Sequence, residues 1–133
     1  MSTFDPDRYS RQTRYPGIGP EGQAKLAASR VAILGCGALG SASAMAIARA
    51  GVGYVRLIDR DVPELSNLPR QLLFDEQDVR AGLPKAVAAS QQLARINSNV
   101  SLDPIVADLT AANVSVLLNG VDVIIDGTDN LEA

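Results

Sequence analysis

Residues 31–40 read Val-Ala-Ile-Leu-Gly-Cys-Gly-Ala-Leu-Gly, a short apolar run followed by Gly35, Gly37 and Gly40 in the spacing G-x-G-x-x-G. Beyond them an Ala- and Ser-rich stretch reaches Ala50, and Gly51 suits a left-handed helix cap. A strand that passes through such a loop into a helix has little freedom. The first glycine permits the tight turn, the second lets backbone approach a phosphate, and the third lets helix and strand touch. Amide groups at the helix N-terminus then face an anion. The plainer alternative is a glycine-rich turn without a ligand.

Strand and helix signals alternate around this unit, which predicts an α/β fold: a Rossmann-like open, mainly parallel sheet with helices on both faces. Residues 1–30 are expected to form an N-terminal helical segment, with Asp5-Pro6 and Gly19-Pro20 as helix starts. Residues 31–133 are expected to form the nucleotide-binding domain. Strands are expected near 31–34, 54–59, 100–106 and 121–125. Pro104 puts the third near an edge, and the fourth reads as buried. Pro63, Pro69, Gly82 and Pro84 interrupt residues 62–84, which read mostly as loop with room for a helical turn. Ala86, Ala89, Leu93 and Ile96 then share one face of a helix starting at Lys85. Thr110 is expected to cap a short helix with Val114, Leu117 and Leu118 inward.

Composition narrows the chemistry. The 133 residues contain no His, which excludes a Ser-His-Asp triad, a His zinc site and imidazole acid–base work within the chain. A single Cys36 excludes an intrachain disulfide and a CxxC metal knuckle. Packed between glycines, it reads as a small buried filler rather than a nucleophile. Twelve basic against fifteen acidic residues argue against a nucleic-acid groove. No apolar run is long enough for a membrane span and the first residues do not resemble a signal peptide, so a reducing, cytoplasmic setting is expected.

Asp59 lies 19 residues after Gly40 at the end of the second strand, where a carboxylate can accept hydrogen bonds from both ribose hydroxyls. It could instead be a turn aspartate. A ribose contact disfavours NADP and leaves ATP, NAD and FAD open. The next cluster, Asp61, Ser66, Asn67, Arg70, Gln71 and Lys85, supplies two cations, which suits a triphosphate under attack better than a nicotinamide dinucleotide. Arg70 as a solvated loop charge and Lys85 as an exposed first-turn residue are the plainer readings, although a lysine there opposes the helix dipole. Asp126 and Asp129 follow the fourth strand, where either could hold Mg²⁺ or serve an Asx turn.

Six segments in order resemble the ThiF/MoeB adenylyltransferases, which are similar to the ubiquitin-activating enzymes: Tyr9-Ser10-Arg11-Gln12, Gly35 to Gly40, Asp59-Arg60-Asp61, Ser66 to Gln71, Gly82-Leu83-Pro84-Lys85 and Thr128-Asp129-Asn130. The resemblance implies adenylation of the C-terminal Gly-Gly carboxylate of a ubiquitin-like sulfur-carrier protein by Mg-ATP, giving an acyl adenylate and pyrophosphate. It implies that Asp59 binds ribose, that Asn67, Arg70 and Lys85 hold phosphates, that Asp129 carries Mg²⁺ and that Asn130 lines the nucleotide site. Arg11 would reach the partner's phosphates in a homodimer. Ala38 stands where the family often has Gly, and Pro69 where it often has a polar residue. The family continues past Asp129-Asn130, often with a CxxC zinc pair and in some members a catalytic Cys, so the resemblance implies that the chain is the ATP-binding half of a longer protein: its domain is expected to be incomplete at its C-terminus and its sheet truncated after the fourth strand, with an unpaired edge where the next strand belongs. The competing readings are an NAD-dependent oxidoreductase domain and a non-catalytic nucleotide-binding or dimerisation module.

Overall fold

The computed structural model describes residues 7–128. Helix α1 spans Ser10–Thr13 and α2 spans Gly19–Ala28, with Pro20 in the first turn, where a missing N–H breaks no helical hydrogen bond. The expected βα unit follows as β1 (Arg30–Leu34) and α3 (Ala38–Ala50), then β2 (Tyr54–Ile58). After a single 3-10 turn at Leu65–Asn67 come α4 (Glu76–Ala81), α5 (Lys85–Ile96), β3 (Ser101–Ile105), α6 (Val114–Leu117) and β4 (Val123–Asp126).

The four strands are parallel, in the order β3-β2-β1-β4. The chain therefore moves outward from β1 to β2 and β3, then returns to pair β4 with the other side of β1. This reversal opens a crevice beyond the C-terminal ends of β1 and β4, the place where open α/β sheets bind ligands.

Alternation along the strands builds the core. Val31, Ile33, Val55 and Leu57 bury one face beneath α3 and α5. The helices meet that face with Ala44, Ala48, Ala86 and Ala89, whose small side chains permit close approach. On the opposite face Arg56 is 8% exposed and bonds the Asp103 carboxylate at 3.2 Å. Its Nη1 donates to the carbonyls of Leu117 and Asn119 at 2.7 and 2.8 Å, tying the end of α6 to the sheet, and its Nη2 donates to Tyr54 Oη at 3.0 Å. The Tyr54 hydroxyl donates to Asp103 as well, and Arg30 stacks 3.8 Å from the Tyr54 ring centre. This charge is satisfied on every side, as burial demands.

The N-terminal helices pack where the strands begin. Gln12 Nε2 donates to Gln23 Oε1 at 2.7 Å and to the Ala50 carbonyl at 2.9 Å. Asn97, 1% exposed, donates to Tyr9 Oη and to the Ala48 carbonyl. Asp5-Pro6 lies outside the described residues.

Three expectations need correction or refinement. Residues 62–84 contain the helix α4: Asp75 and Asp78 exchange side-chain-to-backbone hydrogen bonds at its start, and Gly82 caps its end at φ 65°. Local capping, not an apolar stripe, marks that helix. β4 is not buried, since Val123 and Ile124 are 51% and 48% exposed. Among the described residues it pairs only with β1, so its apolar composition has nothing to face on its outer edge. The reciprocal Thr110–Asn113 bonds form a turn just ahead of α6, and Val114, Leu117 and Leu118 are only half-buried. β3, by contrast, is an edge strand as expected, with Pro104 opposite Leu57.

Candidate functional site: a cleft at the strand reversal

A cleft of about 630 Å³ opens at the C-terminal ends of the strands. Its floor is the glycine loop. Gly35 has φ +83°, which favours the first glycine by conformation, and a Cβ there would sit tightly, 3.3 Å from the Gly127 backbone. A Cβ on Gly40 would lie 1.7 Å from the Gly35 carbonyl oxygen, the close helix–strand contact expected of the third. Gly37 differs. Its backbone is extended, with φ −78°, outside the left-handed region that favours glycine, and among the described residues a Cβ would meet only Gln71 Nε2 at 3.8 Å. Among the described residues no packing demands that glycine. A side chain there would instead occupy the cleft, so Gly37 keeps room for a ligand against the start of α3, whose first N–H groups have no helical acceptor.

Asp59 joins the walls. Its Oδ2 accepts from Cys36 N and its Oδ1 from Asp61 N, both at 2.7 Å. The Asp61 carbonyl in turn accepts from Lys85 N at 2.8 Å. One chain of bonds thus couples the glycine loop, the end of β2 and the start of α5. The turn role of Asp59 is present, and each carboxylate oxygen retains a lone pair for a further donor.

Lys85 is the first residue of α5 and only 7% exposed, not the solvated lysine of the plainer reading. Its ammonium forms no ion pair or hydrogen bond with any described residue. Arg70 is exposed at the rim, with Nη1 on the Ser66 carbonyl at 2.8 Å. Arg60 also lines the cleft, but Asp61 and Asp108 neutralise it at 3.7 and 3.3 Å. The cleft therefore presents Arg70, Lys85 and a helix N-terminus as positive elements not matched by a described carboxylate. Cys36 is fully buried, and burial, reinforced by the nearby Asp59 charge, pushes its thiol up to about 12. It is a neutral filler at physiological pH.

The structure brings Gly35, Gly37, Ala38, Asp59, Asp61, Arg70 and Lys85 to one cleft, with Gly40 packed beneath. Ser66 and Asn67 stand outside its lining: Ser66 receives Arg70, and Asn67 Oδ1 accepts from Glu64 N at 2.7 Å, shaping the loop that carries Arg70. Arg11 is exposed beside Gln12, which is bound to the far end of α3. The 13 residues of α3 separate that end from the glycine loop by about 18 Å. Asp129 and Asn130 lie outside the described residues. Asp126 serves a turn, and the hydroxyl and amide of Thr128 hold its carboxyl below the usual range. Among the described residues no three His, Cys, Asp or Glu side chains converge to hold a metal, and no helix is long and apolar enough to cross a membrane.

Sequence reasoning placed Gln71 in the cluster after the second strand without giving it a role in the site, and it missed the 107–109 segment. Gln71 stands next to Arg70, but nothing in its type announces burial. The 107–109 segment enters the cleft only because β3 ends beside β2, which is a consequence of topology.

The model of the ThiF family matches residues 9–133. The sulfur carrier protein ThiS adenylyltransferase of Bacillus subtilis is 50% identical over 94% of this chain and 37% of its own length. The SAMP-activating enzyme E1 of Haloferax volcanii is 41% identical over 93% of this chain and 45% of its own. Among solved structures, E. coli MccB with ATP superposes with a TM-score of 0.84 at 32% identity, covering 96% of this chain and 39% of that one. E. coli tRNA N6-threonylcarbamoyladenosine dehydratase, TcdA, in complex with ATP gives 0.88 at 27% identity, covering 98% and 53%. The chain thus spans between about a third and a half of the lengths of these proteins. A glycine loop, a carboxylate that fastens it and two cations at the strand reversal agree with the family match, and the chain belongs to the ThiF family.

Proposed function

We propose that the protein uses Mg-ATP to adenylate the C-terminal Gly-Gly carboxylate of a ubiquitin-like sulfur-carrier protein. The observation that carries this reading is the charge of the cleft: Lys85 and Arg70, neither matched by a described carboxylate, face the start of α3 in a space that Gly37 keeps open. A pyrophosphate bridge between two nucleosides needs less. Transfer of an adenylyl group needs cations on the phosphates, because charge moves onto the leaving pyrophosphate. The relative at 50% identity, named a ThiS adenylyltransferase, supports the choice of substrate.

The carboxylate is already ionised at neutral pH and needs no enzymic base, so the absence of His is compatible with the reaction. A carboxylate oxygen attacks the α-phosphorus, the bond to the bridging oxygen breaks, and pyrophosphate leaves with that electron pair. Asp59 holds the ribose with its remaining lone pairs while fastening the loop. Lys85 and Arg70 neutralise phosphate oxygens, with Asn67 and Ser66 shaping the loop that presents the arginine. Asp129 would carry Mg²⁺, which shields phosphate charge, and Asn130 would line the nucleotide site. Arg11 is too far from its own cleft and serves the partner's in a cytoplasmic homodimer.

Ligand-induced stabilisation tests the nucleotide directly. Mg-ATP at a large excess over its dissociation constant should raise the melting temperature by several degrees, since it binds only the folded chain, whereas NAD at equal concentration should leave it unchanged. Stabilisation by NAD and not by ATP would favour the oxidoreductase reading instead.

A further inference from the structure

We propose that the Gln71 carboxamide is a neutral phosphate donor of the cleft, with Nε2 turned toward the nucleotide. Gln71 is 5% exposed and follows the Leu65–Asn67 turn, its main chain fixed by bonds from Gln71 N to the Asn67 carbonyl and from Phe74 N to the Gln71 carbonyl. Its side chain lines the cleft beside Gly37, Arg70 and Lys85. Nε2 lies 3.8 Å from the point a Gly37 Cβ would occupy, the space held open at the start of α3. Oε1 is sealed from solvent and receives no hydrogen bond from any described residue.

That stranded carbonyl is what gives the side chain meaning. A buried acceptor without a donor lowers stability, and an apolar residue of the same length would avoid the loss. Turning the amide over would direct its carbonyl at the cleft, where it would repel phosphate oxygens. The observed orientation instead offers an N–H pair to an anion and leaves the acceptor behind. An amide donor adds a directed hydrogen bond without a third positive charge, so it can orient a phosphate that Lys85 and Arg70 attract. The inference rests on the ATP reading above.

The test compares wild type, Gln71→Met and Gln71→Glu in the full-length protein, measuring ligand-free melting and the affinities for Mg-ATP and for adenosine, which has no phosphate. Methionine removes the stranded acceptor and the donor together. Its ligand-free melting temperature should rise by about 4 °C, its ATP affinity should fall about tenfold, and its adenosine affinity should stay within about twofold. Glutamate keeps the shape but replaces the donor by an acceptor, and should weaken ATP at least as much, again sparing adenosine. Wild-type ATP affinity in both variants, or equal losses for ATP and adenosine, would overturn the assignment. If methionine fails to fold, glutamate binding ATP like wild type overturns it alone. A wild-type protein that binds adenosine but not ATP overturns the ATP reading, and the Gln71 role with it.

Discussion

Gly40→Ala is expected to leave little folded protein. The added Cβ would lie 1.7 Å from the Gly35 carbonyl oxygen, a backbone atom at the turn between β1 and α3. No rotamer change relieves that contact, because neither atom belongs to a flexible side chain. The helix must move away from β1 or the turn must open, and either movement disturbs Ser41, fully buried and bonded to the Cys36 carbonyl, together with the Asp59 bond to Cys36 N. A cost of at least about 4 kcal/mol follows, at the severe end for overpacking, against a total stability of roughly 5–15 kcal/mol. Urea denaturation followed by circular dichroism measures it. A variant with a midpoint close to wild type would mean that α3 is not held against β1 as described.

Lys85→Met is expected to separate chemistry from folding. The methionine keeps an unbranched stem of similar length in the same position, and the ammonium it removes bonds to no described residue, so stability should change by less than about 1 kcal/mol. Pyrophosphate exchange should fall by about 10²–10³-fold, the usual cost of losing one preorganised group that meets developing charge. Parallel measurement of denaturation and exchange distinguishes the two effects. Exchange within about threefold of wild type would remove Lys85 from the reaction.

How much of this was legible from sequence depended on whether a residue's role is set locally. Gly35 and Gly40 were readable because a strand, a tight turn and a helix in sequence impose their geometry on the residues between them. Asp59 was readable from spacing, although its bonds to Cys36 N and Asp61 N show that it builds the loop as well as facing the cleft. α4 was hidden in a stretch of prolines because its signal is an Asp75–Asp78 reciprocal cap closed by Gly82, with no apolar period to extend it. The exposure of β4 was readable only in part, because the resemblance implied an unpaired edge after the fourth strand while its composition read as buried. Val123 and Ile124 have the composition of an interior strand, and only the sheet order shows that one side lacks a neighbour among the described residues. Gln71 was legible as a member of the cluster but its burial was not, for a similar reason: burial beside Gly37 is made by the loop that returns it to the cleft.

The central claim is that this cleft positions ATP for attack by a carrier's terminal carboxylate. Exchange of labelled pyrophosphate into ATP, measured in the full-length protein with a Gly-Gly-ending sulfur carrier and with the same carrier amidated at its C-terminus, tests it most directly. Rapid exchange with the free carboxylate and background exchange with the amide is the expected result. Equal exchange with both carriers, or none with the free carboxylate while Mg-ATP is bound, would contradict it.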